Sequence, residues 1–170
     1  MTSFNEELHV IGGHDEYLNA VRTVLKYNPV CNEWKQLASM ETGRRGHCAV
    51  VLEDLIYVIG GVDGGTCLKS VESFDPSTNQ WKKVPDLANA RRDPAAATVC
   101  EKIVVVGGFC NIRLSASSVV EPTCEVFDPF LNQWSSLSSP NVPRAACGIV
   151  SVGDTVYVFG GYGEVVLWTV

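Results

Sequence analysis

No apolar stretch in this sequence approaches the ~20 residues needed to span a bilayer. The start, Met1-Thr2-Ser3-Phe4-Asn5-Glu6-Glu7, is acidic where a secretion signal is basic and then apolar. Neither export nor a membrane partner is expected, and the chain reads as cytoplasmic. Charge is scarce at 19% of residues, and 13 Lys and Arg stand against 19 Asp and Glu, a net charge of −6. Nucleic acids and anionic lipid surfaces are held largely by Lys and Arg, so this balance argues against both as partners. Histidine occurs three times only, as His9, His14 and His47, with no HxH or HxxxH spacing to gather metal ligands. There is no GxSxG nucleophile turn and no CxxC pair. The sequence thus predicts a chain that is not an enzyme and takes no cofactor or metal.

What is present is core material, with 46% hydrophobic residues, ample for a folded domain and against disorder. The seven cysteines are odd in number and most sit inside apolar strand patterns. They read as reduced, small buried hydrophobes of a cytosolic protein, with Cys67 and Cys110, after double glycines, as exposed exceptions.

The chain repeats one short run four times: Leu8-His9-Val10-Ile11-Gly12-Gly13, Leu55-Ile56-Tyr57-Val58-Ile59-Gly60-Gly61, Ile103-Val104-Val105-Val106-Gly107-Gly108 and Val156-Tyr157-Val158-Phe159-Gly160-Gly161. Trp34, Trp81 and Trp134 each stand 26 residues before the first glycine of the next pair. From the second glycine to the following Trp the distance is 21, 20 and then 26 residues, so length variation is confined to one half of the unit. An invariant half and a variable half imply a scaffold and its loops. The period, 47 or 48 residues and then 53, exceeds most helical repeats. Within a unit, apolar runs of four to seven residues rich in Val and Ile are separated by Gly, Pro, Asn and Asp, which predicts strands. Ala95-Ala96-Ala97 is the one helix-like patch.

The most complete unit predicts four strands: a over His47 to Leu52, b over Leu55 to Ile59, c over Ser70 to Phe74, and d over Trp81 to Val84. Glu53-Asp54 is a tight turn between a and b, and Asp75-Pro76-Ser77-Thr78-Asn79-Gln80 is turn chemistry between c and d. Tyr27, Phe74 and Phe127 each stand seven residues before a Trp, which sets the two rings on neighbouring strands of a hairpin. The glycine pairs are read as backbone positions of close approach rather than a phosphate cradle, since none opens a helix.

The apolar-Gly-Gly strand, the Tyr/Phe-Asn/Asp-Pro turn and the Trp that follows together resemble the kelch motif, whose units are blades of a β-propeller. With Met40 and Arg44 before strand a, the unit looks most like that of the kelch-like family. The resemblance implies an all-β fold, a kelch β-propeller fragment of about three and a half four-stranded antiparallel blades in an open arc. Residues 1–170 would hold strands b–d of a first blade over 8–39, a second blade over 46–88, a third over 93–139, and the start of a fourth over 144–170.

In antiparallel order the d–a and b–c connections share one face, and the a–b and c–d turns share the other. Arg44, Arg91 and Arg144 stand ten residues after each Trp, one per d–a connection, and Arg45 and Arg92 follow two of them. A recurring Arg is what a structural clamp at the blade junction predicts, and equally what a binding face predicts. Arg45 and Arg92 are not required by the repeat and read as solvated or ligand-facing. Five guanidinium groups on one face would suit an acidic peptide. The b–c loops add His14, Asp63, Asn111 and Arg113 as candidate contacts. The family resemblance implies a protein-interaction module, the target-recognition part of an adaptor that reaches a cullin-RING ubiquitin ligase only through a BTB region absent from this sequence. Actin or cytoskeletal association is the alternative, and an enzyme, as some kelch propellers are, is remote.

Overall fold

The computed structural model describes residues 1–110 and 119–163. Asn111 and Arg113 lie outside the described residues. Sixteen strands occur among those that are described. The first sheet holds β1 (Thr2–Phe4), β2 (Glu7–Ile11), β3 (Val24–Asn28) and β4 (Glu33–Gln36) in that order. The second is built from β5 (Cys48–Leu52), β6 (Leu55–Ile59), β9 (Val71–Asp75) and β10 (Gln80–Val84), while β7 (Val62–Asp63) and β8 (Thr66–Cys67) form a small hairpin in the b–c loop. The third runs β11 (Ala95–Val99), β12 (Lys102–Val106), β13 (Cys124–Asp128) and β14 (Gln133–Leu137). β15 (Gly148–Val152) and β16 (Thr155–Phe159) pair as a final hairpin. All pairings are antiparallel, and each four-stranded sheet takes its strands in chain order, so each is a meander, the form of a propeller blade.

The first blade has a strand that the sequence pattern does not reveal. Thr2, Ser3 and Phe4 pair with His9, Leu8 and Glu7, closing through Asn5 and Glu6 at φ 48° and 62°. Two successive left-handed residues make the turn that suits a tight hairpin. The blade therefore begins at strand a, and the expectation of strands b–d alone over 8–39 is corrected; a three-residue strand is too short to show alternation. The helix-like patch is also strand: Ala95, Ala96 and Ala97 pair with Val106, Val105 and Val104. β11 lies beside β5 and β15, the first strands of the neighbouring blades, and such close packing at the centre admits small side chains.

The core is made between blades. One face of the second blade, with Val50, Leu52, Tyr57, Ile59, Val71, Val84 and Leu87, packs on Ile103, Val105, Phe127 and Trp134 of the third. Its other face, with Ile56, Val58 and Phe74, packs on Ile11, Val24 and Met40 of the first. Strand alternation assigns each residue to one neighbour. The register aromatics meet as expected: Tyr27–Trp34, Phe74–Trp81 and Phe127–Trp134 have ring centroids 4.9, 4.9 and 5.1 Å apart. Trp81 Nε1 donates to Ala38 O and Trp134 Nε1 to Pro85 O, both at 2.8 Å, so each Trp fastens its blade to the one before.

The cysteines are all free, but only Cys124 is buried. Cys31, Cys100 and Cys110 are exposed and the others partly so, because Cys31 and Cys100 sit in turns rather than inside strands. Burial pushes the Cys48 thiol up to about 12.

Candidate binding face

The double glycines and the recurring arginines prove to be one device. Gly13, Gly61 and Gly108 donate their N–H groups to the carbonyls of Arg44, Arg91 and Arg144 at 2.9, 2.9 and 3.0 Å. Each bond joins the strand-b end of one blade to the connection entering the next. The glycine before each is needed: a Cβ at Gly12 or Gly60 would stand 2.5 Å from the carbonyl oxygen of Arg44 or Arg91, at φ of +59° and +65°.

The guanidinium groups turn into the blade they introduce. Arg44 Nη1 donates to Gly60 O and Ser70 O at 2.8 and 3.0 Å, and Nη2 to Glu72 Oε1 at 2.6 Å. Arg91 repeats this on Gly107 O, Thr123 O and Glu125 Oε1 at 2.9, 3.0 and 2.6 Å. Arg144 Nη1 reaches Gly160 O at 3.1 Å. The free carboxylate oxygen of each pair accepts the backbone of the incoming connection, Glu41 N on Glu72 and Ala88 N on Glu125, both at 2.8 Å. A buried charge is tolerable only when paired and hydrogen-bonded to this extent.

Arg44, Arg91 and Arg144 are buried, so of the two roles that their recurrence left open, clamp or partner contact, the geometry favours the clamp. Arg92 is also buried, its Cζ 4.3 Å from the centroid of the Phe109 ring and its Nη1 2.6 Å from Asp93 Oδ2. Its ligand-facing assignment fails because Phe109 and Asp93 already hold it. Arg45 alone of the five keeps a half-exposed side chain. Its backbone exchanges two hydrogen bonds with Val62, as Arg92 does with Phe109. These bridges tie the d–a and b–c segments together and place both on one face.

Glu72 and Glu125 are the residues that sequence reasoning missed. The signal was a carboxylate two residues before each strand-c aromatic, Phe74 and Phe127. His14 and Asp63 are exposed on the loop face as expected. The first b–c loop is built around Asp15, whose carboxylate accepts from Tyr17 N, Asn19 N and Asn19 Nδ2 at 2.9, 2.8 and 3.0 Å. Those bonds hold its carboxyl below the usual carboxylate range. Between the second and third blades a cleft of about 330 Å³ is lined by Asp86, Asn89, Thr123, Glu125 and Trp134. Among the described residues, no group of three or more His, Cys, Asp or Glu side chains could hold a metal ion.

Two histidines stand inside the fold as neutral bases. His9 is fully buried beneath Phe4 with neither ring nitrogen bonded, and burial lowers its pKa. His47, at the junction of the first two blades, is lowered to about 4, chiefly by burial and then by nearby positive charge. A folded pKa below the unfolded one means that the unfolded chain takes up protons first as pH falls. Stability is therefore full above pH ~6.5 and declines towards pH 4, by about 2 kcal/mol at pH 5 from His47 alone. Urea unfolding at pH 7.5 and 5 should show this loss, and His47→Gln should flatten the difference.

A family model described as the KLHDC2/KLHL20/DRC7 Kelch-repeats domain matches residues 1–161. The mouse protein Kelch-like protein 35 is 33% identical over 159 residues, covering 94% of this chain and 26% of the relative. Kelch repeat and BTB domain-containing protein 1 of vaccinia virus (strain Copenhagen) is 30% identical over 162 residues, 94% of this chain and 28% of its own length. Alpha-scruin of Limulus polyphemus is 28% identical over 164 residues, 93% and 18% respectively. The chain thus spans about a quarter or less of each of these relatives. Among solved structures, YjhT superimposes with a TM-score of 0.77 at 19% identity, over 94% of this chain and 56% of that one, a likeness of fold.

Proposed function

The chain belongs to the kelch-repeat domain family, and from that premise we propose that it is a protein-interaction module, the target-recognition part of a kelch-like adaptor for a cullin-RING ubiquitin ligase. The observation that carries this reading is the contrast on the loop face. Every recurring arginine is consumed by the scaffold, while the loops between them differ in sequence and are exposed: His14 and Glu16–Asn19 in the first blade, Asp63–Thr66 in the second. Rigid blades displaying unlike loops are the arrangement in which specificity resides in loops. The viral relative, as its name says, joins kelch repeats to a BTB domain, which supports the adaptor part of the reading. Ligase recruitment would belong to such a BTB region, and recognition to this chain, in the cytosol.

The loop face is not a basic cluster. With four of five guanidinium groups internal, the accessible charges on the loops are of both signs: the half-exposed Arg45 and the exposed Asp63 and Glu16. The target is therefore a protein segment read by shape and hydrogen bonding rather than an acidic peptide held by arginines. In a peptide-library screen, Asp63→Ala with Thr66→Ala, and separately Arg45→Ala, should weaken a selected peptide at least ~10-fold while shifting stability by less than ~0.5 kcal/mol, as surface changes do. Phe130→Ala, on the opposite face, should leave binding unchanged. Loss of binding by Phe130→Ala alone would defeat this reading. Co-sedimentation with actin filaments that ignores the loop changes would favour the cytoskeletal reading instead.

A further inference from the structure

The cleft between the second and third blades has a cause in the sequence. At the preceding junction Asn79 Oδ1 accepts from Ala38 N at 2.9 Å, and Trp81 Nε1 donates to Ala38 O at 2.8 Å, so the incoming connection is fastened at both backbone groups of one residue. At the next junction Trp134 makes the same bond to Pro85 O, and Asn132 stands two residues before the Trp, as Asn79 does. Proline has no N–H to give. The second bridge is therefore missing, and here the cleft of about 330 Å³ opens, with Asp86 and Asn89 on one side and Asn132, Trp134 and Ser136 on the other. Both blades that form it hold all four of their strands.

Two features of the cleft define what would fill it. The first is a carboxylate only half spent: Asp86 Oδ1 has no hydrogen-bond partner, and Oδ2 is 4.0 Å from Lys69 Nζ, beyond hydrogen-bond distance. The other acid of the cleft, Glu125, is already held by Arg91 and Ala88 N. Rotation about the last torsion of Asp86 is soft, so either oxygen can turn to a donor that enters. The second feature is the wall, β14, which is the outer strand of its sheet. Such an edge offers unpaired N–H and C=O groups, which proteins usually guard with charge. β4 carries Glu33 and Lys35, and β10 carries Lys82 and Lys83, whereas β14, Gln133-Trp134-Ser135-Ser136-Leu137, carries no charge at all. We propose that this cleft docks an extended segment of another protein, which pairs with β14 as an added strand and sets an Arg or Lys side chain against Asp86. Backbone pairing would supply affinity and the cleft selectivity. The half-buried Trp134 ring offers the long stem of that basic side chain an apolar surface, and its cation a π face. This site lies along the outer strand and is independent of the reading of the loop face.

The probes are capped peptides Thr-Val-Xaa-Val-Thr, with Arg, Lys, Gln or Glu as Xaa, titrated into the isotope-labelled chain. The Arg and Lys peptides should shift the amide resonances of residues 86–89 and 133–137, and bind at least ~10-fold more tightly than the Gln peptide, as a charge-assisted hydrogen bond implies. The Glu peptide should bind more weakly still. Asp86→Asn should erase the preference for the basic peptides while leaving the Gln peptide unchanged, which a merely structural Asp86 would not do. Should that variant misfold, Ser136→Lys takes its place: it returns to β14 the charge that Lys83 gives β10, and should also erase the preference. N-methylation of alternate residues of the Arg peptide should abolish binding in one phase and spare it in the other, because a strand pairs along one edge at a time. No shift with any of these peptides overturns the proposal. Shifts confined to the loop face, equal affinity for all the peptides, a preference that survives Asp86→Asn, or binding that tolerates both methylation phases overturn it equally.

Discussion

Glu125→Ala is expected to destabilise the protein by about 3–5 kcal/mol, the usual cost of removing one partner of a buried ion pair. Arg91 is fully buried, and its Nη2 sits 2.6 Å from Glu125 Oε1. Two carbonyls, Gly107 O and Thr123 O, neutralise part of the guanidinium, but carry no formal charge. The same substitution orphans Ala88 N–H, which the other carboxylate oxygen accepts. Glu125→Gln keeps the shape and one acceptor oxygen, and should cost less, about 1–2 kcal/mol. Arg91→Met combined with Glu125→Leu should recover much of the loss, because no charge is then buried without its partner. Urea unfolding at pH 7.5 checks all three, and a loss under ~1 kcal/mol for Glu125→Ala would mean that the pair does not carry the junction. Glu72→Ala at the preceding junction should behave alike, since Arg44 and Glu72 repeat the geometry at the same 2.6 Å.

The blades were legible because their signals are periodic. The fixed 26 residues from each Trp to the next glycine pair span a rigid path: across the junction, into strand a and out along strand b. Any insertion there would break the Gly–Arg carbonyl bond. Insertions are tolerated after the glycines, in the b–c loop, where no junction contact depends on length. Non-periodic features were less legible. β1 has three residues and no hydrophobic alternation, so nothing in Thr2-Ser3-Phe4 marks a strand until His9 and Leu8 are there to pair with it.

The arginines show the limit of one-dimensional reading for the binding face. Recurrence at Arg44, Arg91 and Arg144 located them correctly on a shared face, yet the direction of each side chain depends on a carboxylate 28 or 34 residues later, Glu72 or Glu125. Arg92 was misjudged for a related reason: its partner Phe109 belongs to the following b–c loop, and only folding brings the ring within 4.3 Å. Arg45 has Val62 in that register, which offers no π face, and so remains half-exposed. What distinguishes the two arginines is therefore a residue 17 positions on together with the next residue along, Asp93 after Arg92 against Gly46 after Arg45.

Trp81→Ala should cost about 3–4 kcal/mol, while the same change at Trp34 should cost about 1 kcal/mol in dilute solution. Both rings occupy one register and stack on an aromatic at 4.9 Å, so intrinsic propensity and the stacking pair cancel from the comparison. The difference is the preceding blade. Trp81 is half-buried and donates its Nε1 to Ala38 O at 2.8 Å, and its removal leaves both a cavity and an unbonded carbonyl. Trp34 is 55% exposed, and truncation forfeits only the area it covers on its own blade. Thermal or urea unfolding at a few micromolar separates the two, and equal losses would show that the blade before contributes nothing.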